Sequence, residues 1–275
     1  MIQPSPISDQ ELERSAQLLK AAPPREVIAW ALDRFAPERL VVVTGLQADG
    51  VAVADIAMAL DPGARVLTID TGRLPDATHE YLDTLRAHWG RDLEVIHPDP
   101  ADLDPFSAEH GANPFRSSVE LRLQCCHIRK VAPLERALLG VDCWMSGLRR
   151  DQSAGRSYTA AIERDHRHGG IVKLNPLAAW SEDEVHAYLR RHRVPEHPLY
   201  ALGYRSIGCA PCTRPVAAGE HPRSGRWWWE DGVEKECGIH ATPPTAAAQV
   251  PGSPNGVHAE LRPIPLLREP AGAAT

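Results

Sequence analysis

The chain has no excess of positive charge: 30 Lys and Arg stand against 36 Asp and Glu, a formal net charge of −6. A general nucleic-acid binder leans basic, so the charge argues against that class and leaves only local basic pockets. No apolar run approaches the length of a membrane span. The first residues, "MIQPSPISDQELERS", lack the basic start and apolar stretch of a secretory leader. A cytoplasmic protein without nucleic-acid or membrane partners is therefore expected. Cysteine is scarce, six residues in 275. In a reducing compartment such cysteines are more often metal ligands or nucleophiles than structural disulfides.

What is present is an alternation of element types. Residues 8–20 and 24–36 read as two amphipathic helices, with Ser8 and Glu11 as a capping box and Pro24 at a helix start. A short β-branched run at 39–45 reads as a strand, and further strands are read at 64–72, 92–98, 142–147 and 170–176, separated by helical stretches at 49–60, 76–90 and around 117–139, and followed by one at 181–192. Strands alternating with helices predict an α/β fold with a mainly parallel sheet flanked by helices. The expected organisation is N-terminal helices over 1–37, an α/β domain over 38–205 and a site-forming segment over 206–240. Residues 241–275 are rich in Pro and Ala and read as a disordered tail, with "PIPLL" weighed as a docking peptide.

Three loops at strand ends carry candidate binding groups. "TGLQADG" (44–50) enters a helix and can present backbone N–H groups and the Thr44 hydroxyl, though it is neither a Walker A loop nor G-x-G-x-x-G. "IDTG" (69–72) places Asp70 where it can bond a ribose or cap a turn. "SGLRRDQSAGR" (146–156) clusters Arg149, Arg150 and Arg156, whose guanidinium forks suit phosphate and sulfate oxygens. "ERDHRHGG" (163–170) brings His166 and His168 close, but without supporting ligand spacing it reads as a polar surface loop.

Cys125 and Cys126 are adjacent, with Cα atoms ~3.8 Å apart, whereas disulfides favour roughly 4.4–6.8 Å. A metal centre has no such difficulty. "CAPC" adds Cys209 and Cys212, giving four thiolates, which suits a [4Fe–4S] cluster or a structural zinc. A thioredoxin-like redox pair is the third reading of CAPC, disfavoured because Pro215 opposes a following helix. Cys143 lies in an apolar run and is expected in the core. Cys237 sits in "KECGIH" with Lys235 and His240 beside it, a setting that lowers a thiol pKa and favours a nucleophile.

Together "QCCHIRKVAPLERAL", "SGLRRDQS", "KLNPLAAW", "GYRSIGCAPCT", "GRWWW" and "KECGIH" resemble the iron–sulfur adenylyl-sulfate reductases of the assimilatory sulfonucleotide reductase (PAPS reductase) family, in that family's order over roughly 38–240. The resemblance implies a PP-loop fold, adenine nucleotide alpha-hydrolase-like, with a C-terminal cysteine-bearing lid. It implies thioredoxin-dependent reduction of adenosine 5′-phosphosulfate to sulfite and AMP in sulfate assimilation. Carried over by motif, Cys125, Cys126, Cys209 and Cys212 hold the [4Fe–4S] cluster, and Cys237 attacks the sulfate sulfur to form an S-sulfocysteine. Lys130 lies between cluster and sulfate. Arg156, Arg223 and Arg226 clamp the phosphosulfate, and His240 sits beside the nucleophile. Thr44, Ile69 and Gly147 contact the nucleotide. Thioredoxin or a similar thiol donor releases sulfite. A homo-oligomer is left open. The loop at 44–50 departs from the family's usual Ser-Ser-Phe-Gly-Ala-Glu-Ser. Two alternatives stand beside this expectation: reduction of the 3′-phosphorylated nucleotide (PAPS), and a zinc-stapled nucleotide-binding protein without reductase activity.

Overall fold

The computed structural model describes residues 7–230 together with 238 and 239. Six strands form one sheet in the order β3-β2-β1-β4-β6-β5. They are β1 (Leu40–Thr44), β2 (Val66–Ile69), β3 (Glu94–Ile96), β4 (Cys143–Met145), β5 (Ile162–Asp165) and β6 (Ile171–Leu174). All neighbours run parallel except β5 and β6, which pair antiparallel at one edge. The two strands in the middle of the sheet, Leu-Val-Val-Val-Thr and Cys-Trp-Met, are almost wholly apolar because both of their faces are covered. Cys143 is fully buried in β4, as its apolar context predicts.

The helices are α1 (Asp9–Leu18), α2 (Pro24–Arg34), α3 (Ala48–Leu60), α4 (Asp76–Trp89), α5 (Pro100–His110), α6 (Val119–Cys126), α7 (Ala132–Ala137) and α8 (Glu182–His192). Helix α3 is apolar around much of its circumference, and Val51, Ala52, Val53 and Ala54 are all fully buried. A helix hydrophobic all round belongs inside, and α3 packs against β1, α2 and α8. Ser8 caps α1 by accepting the Glu11 N–H. Ser181 and Glu184 form a reciprocal capping box on α8. Gly90 ends α4 in the left-handed conformation at φ +64°.

The chain winds outward from β1 through β2 to β3, then crosses back to place β4 on the other side of β1. That reversal opens a crevice beyond the carboxyl ends of β1 and β4, where open parallel sheets take their ligands. Helix α6 continues into α7 through a π-helical turn, His127–Val131, in which the Ala132 N–H reaches the His127 carbonyl. Such single π turns are frequent at functional sites.

The loop 163–170 departs from the surface reading. Residues 162–165 form the edge strand β5, and Asp165 and His168 are buried. Asp165 accepts from Trp144 Nε1 at 2.8 Å and pairs with His168 Nδ1 at 2.7 Å. Burial alone would lift the Asp165 carboxyl. The bonds from His168 and Trp144, with Lys173 nearby, hold it below its ordinary value.

Candidate functional site

A cavity of about 230 Å³ fills the crevice at the strand ends. Its floor is the end of β1, the loop 44–50 and the N-terminal turn of α3. Thr44 is buried, and its hydroxyl accepts the Leu46 N–H at 3.0 Å, which tightens the turn into α3. Ile69, the last residue of β2, forms a side wall. Gly147 follows β4 where the two loops meet. A Cβ there would lie 2.5 Å from Gly50 N and 2.6 Å from the Asp49 carbonyl carbon, so only glycine fits. The predicted groups Thr44, Ile69, Gly147, Lys130, Arg156, Arg223 and Arg226 all line this one cavity.

The charges in it are ordered. Arg149 is buried and ion-pairs with Asp49 at 2.7 Å and Asp151 at 3.0 Å. Burial lifts the Asp49 carboxyl above its ordinary range against the pull of Arg149. Gln152 donates to Asp49 at 2.9 Å and accepts from Arg156 Nη1, so it hands the loop's geometry on to Arg156. Arg150 instead bonds the Thr159 carbonyl. Arg226 is buried because Gly208 has no side chain where its guanidinium lies. Two guanidinium groups lie over the Trp227 ring, Arg122 at 4.6 Å and Arg226 at 4.7 Å from its centroid. Asp70 does not line the cavity. It caps the next turn by accepting the Gly72 N–H at 2.8 Å and pairs with His79 at 3.0 Å.

The cysteines meet in space. Cys125 and Cys126 from the end of α6, and Cys209 and Cys212 from the short 3₁₀ turn Ala210–Cys212 and its cap, are all buried and face one small cavity. Arg73, Arg122, Arg129 and Lys130 line the same cavity. No helix continues from the CAPC turn, where the chain runs on into an isolated bridge between Thr213 and Arg226. Thr71 Oγ1 lies 3.2 Å from Cys209 Sγ, and Arg129 donates to the Thr71 carbonyl at 2.7 Å.

Burial pushes the Cys212 thiol up to about 12, reinforced by its neighbours Cys209 and Cys126. Burial also raises Cys125, only partly offset by Arg129. At Cys209 burial is outweighed: Lys130, the Thr71 hydroxyl and Arg226 hold that thiol below its ordinary value. Four buried thiols in a pocket lined by cations form a donor set that fits an anionic iron–sulfur cluster, whose ligands are thiolates. Among the described residues, no three His, Cys, Asp or Glu side chains gather closely enough to hold a single metal ion. A polynuclear cluster has no such need, because each thiolate holds a different iron.

Lys130 lines both cavities. The π turn sets this position: it carries the chain from Cys126 to Lys130 while Val131 and Ile128 stay buried beside it. Cys237 and His240 lie outside the described residues. Between them Gly238 adopts φ +89° beside Val131 and the Arg167 guanidinium, and Ile239 lines the larger cavity.

Several site groups carry no sequence signal. Arg205 pairs with Glu182 at 2.7 Å on the cavity wall. The Ile207 N–H donates to Gln47 Oε1 at 2.8 Å, and the Ala48 N–H donates to Tyr200 Oη at 2.9 Å. Each contact joins residues more than 150 positions apart or depends on a loop conformation that no local pattern encodes.

Residues 39–215 match the model of the phosphoadenosine phosphosulfate reductase domain. The chain is 50% identical over 177 residues to an adenosine 5′-phosphosulfate reductase of Burkholderia cepacia, covering 64% of this chain and 70% of that protein. It is 40% identical over 244 residues to the protein of that name from Pseudomonas aeruginosa (strain LESB58), covering 86% and 90%. Among solved structures, phosphoadenylyl-sulfate (PAPS) reductase from Candida auris superposes with a TM-score of 0.65 at 26% identity, covering 78% of this chain and all of that one. An FMN adenylyltransferase from Candida glabrata shares the fold alone, at 12% identity and a TM-score of 0.50 over 78% of this chain and 73% of that one.

Proposed function

Because this chain belongs to the phosphoadenosine phosphosulfate reductase domain family, we propose that it reduces adenosine 5′-phosphosulfate to sulfite and AMP, with Cys237 as the nucleophile. One observation carries the reading furthest. The pocket of four thiols and the nucleotide-sized cavity adjoin, and Lys130 faces both.

Arg156, Arg223, Arg226 and Lys130 bring positive charge to one cavity, which suits the anionic phosphosulfate. Thr44, Ile69 and Gly147 shape the wall against which the nucleoside rests. The Cys237 thiolate attacks the sulfate sulfur. The bond from that sulfur to the bridging oxygen breaks, and AMP leaves with the electron pair. The enzyme then carries an S-sulfonate on Cys237. A dithiol donor such as thioredoxin attacks the Cys237 sulfur, so sulfite leaves with the electron pair and a mixed disulfide forms. The donor's second thiol resolves that disulfide. Two electrons pass from the dithiol to sulfur. Cys125, Cys126, Cys209 and Cys212 would hold a [4Fe–4S] cluster, which supplies a fixed polynuclear charge beside Lys130 when bound. The setting is cytoplasmic sulfate assimilation.

The 3′-phosphorylated nucleotide is the second reading, favoured by the name of the Candida auris structure. The higher identities, 40–50%, lie with proteins named for the unphosphorylated one. Side-by-side kcat/KM values decide, and a strong preference for the 3′-phosphate overturns our choice. The main test is mass spectrometry of the iron-loaded protein given adenosine 5′-phosphosulfate without thiol. An adduct of ~80 Da is expected on Cys237. Turnover by Cys237→Ser would overturn the mechanism. A colourless protein holding one zinc would overturn the cluster.

A further inference from the structure

Two side chains of the larger cavity are tied to the backbone through their acceptor atoms and keep their donors. Tyr200 Oη accepts the Ala48 N–H at 2.9 Å. Its own hydroxyl hydrogen has no acceptor among the described residues, and the side chain lines the cavity. The ring is held on two sides, edge-on to His186 at 5.5 Å and to His197 at 6.2 Å. Burial pushes the phenol well above its usual range, helped by the Asp49 and Glu182 charges, so the hydroxyl keeps its proton. Gln47 repeats the arrangement. Its Oε1 accepts the Ile207 N–H at 2.8 Å, which fixes the orientation of the amide. Its NH₂ group then has no acceptor among the described residues, while the side chain also lines the cavity. Both side chains are half-buried, and donors held in a binding cavity with no protein acceptor are placed to find one on the ligand.

These groups lie apart in role from the cations. Asp49, Asp151 and Glu182 share the wall with Arg149 and Arg205, and each of these arginines is already ion-paired. A neutral part of the ligand suits that wall better than another anion. We propose that Tyr200, together with Gln47, donates hydrogen bonds to neutral acceptor atoms of the bound nucleoside, a ribose hydroxyl oxygen or a purine ring nitrogen, and so fixes its seat in the cavity. The inference rests on the nucleotide-reductase reading above and adds binding residues to it. It also assigns the Ala48 N–H, a group at the mouth of α3, to Tyr200 and not to phosphate.

The test is calorimetric binding of AMP to the full-length, iron-loaded protein and to its Tyr200→Phe form. The same titrations are run with 2′-deoxy-, 3′-deoxy- and the 1-, 3- and 7-deaza analogues of AMP. Tyr200→Phe is expected to weaken AMP by roughly 3- to 10-fold. The penalty should vanish for the one analogue that lacks the accepting atom. Gln47→Glu keeps the acceptor for Ile207 and loses the donor, so its penalty should likewise depend on the analogue. Unchanged AMP affinity in both variants overturns the proposal. So does an equal loss across all analogues, because a disturbed Ala48 turn would weaken every ligand alike. Failure of the unaltered protein to bind AMP at all overturns the reductase reading beneath it, a result distinct from either.

Discussion

His197 is a single residue whose surroundings set a pH limit on the whole fold. It is 2% exposed. Its Nδ1 accepts the Leu199 N–H at 3.2 Å, so the ring proton sits on Nε2, which donates to Thr78 Oγ1 at 3.0 Å. Tyr81 packs against the ring at 4.8 Å. Burial lowers its pKa to about 4, whereas the unfolded chain titrates near ~6.5. Between those values the unfolded chain binds a proton that the folded chain refuses, so stability falls with pH there. The contribution is intact above pH ~6.5 and is lost as pH drops towards 4. Melting temperatures across pH 7 to 4.5 should decline, and His197→Gln should flatten that decline. A parallel decline in the variant would assign it to other groups. Nothing local in "VPEHPLY" announces this role, because Thr78 lies on α4, more than a hundred positions away.

Among the elements, the close approach of two loops bears most directly on the site. The 44–50 loop departs from its family's usual letters, yet it closes into a tight turn through Thr44 and leaves room at Gly50 for the Thr44 side chain. Gly147 presses on that turn from the β4 side, where a Cβ would strike backbone atoms of Asp49 and Gly50. Backbone cannot swing aside as a side chain can, so Gly147→Ala must displace the cavity floor. A loss of roughly 10- to 100-fold in kcat/KM is expected, with iron content unchanged. Equal loss of iron would mean that the fold, and not the cavity, had failed.

The elements also mark where sequence reading stops. The runs at 39–45 and 142–147 identified central strands because strands buried on both faces leave unbroken apolar runs. "IERD" did not read as a strand, since an edge strand tolerates charge, and the run taken as the fifth strand is the sixth. Helix α5 carries Pro105 inside it, which masks its periodicity. The helical stretch around 117–139 was legible, but its π turn was not. The four cysteines that face one pocket were legible as a set because adjacency and C-x-x-C spacing are local; Tyr200 and Gln47 were not, because their partners are distant.

For the whole molecule, the thiol pocket joins two remote parts of the chain. Helix α6 brings Cys125 and Cys126, and the 209–212 turn brings the other pair from beyond β6 and α8. A cluster held by all four would close a long loop, and the chain-entropy account assigns about 4 kcal/mol to loops of this order. Stripping iron anaerobically with a chelator is therefore expected to lower the melting temperature by roughly 10 °C. The 230 Å³ cavity contributes no ligand to that centre and should keep its shape below the melt, so AMP affinity should fall less steeply than stability. A stripped protein that melts where the loaded one does would show that the four thiols do not carry a structural group.

The continuous rod of α6, π turn and α7 has one more consequence. Its far end is clamped, since Leu134 and Leu138 are fully buried against the sheet. Its middle carries the cysteine pair as the last residues of α6, and Lys130 projects from the π turn just beyond. On such a rod, angular position is counted in residues, about 100° for each. A substitution within "HIRKV" changes a side chain, whereas losing or gaining one residue there rotates the cysteines out of phase with Lys130. The interval from Cys126 to Lys130 thus acts as an indexing pin between two reactive compartments: its length is under tighter constraint than its composition.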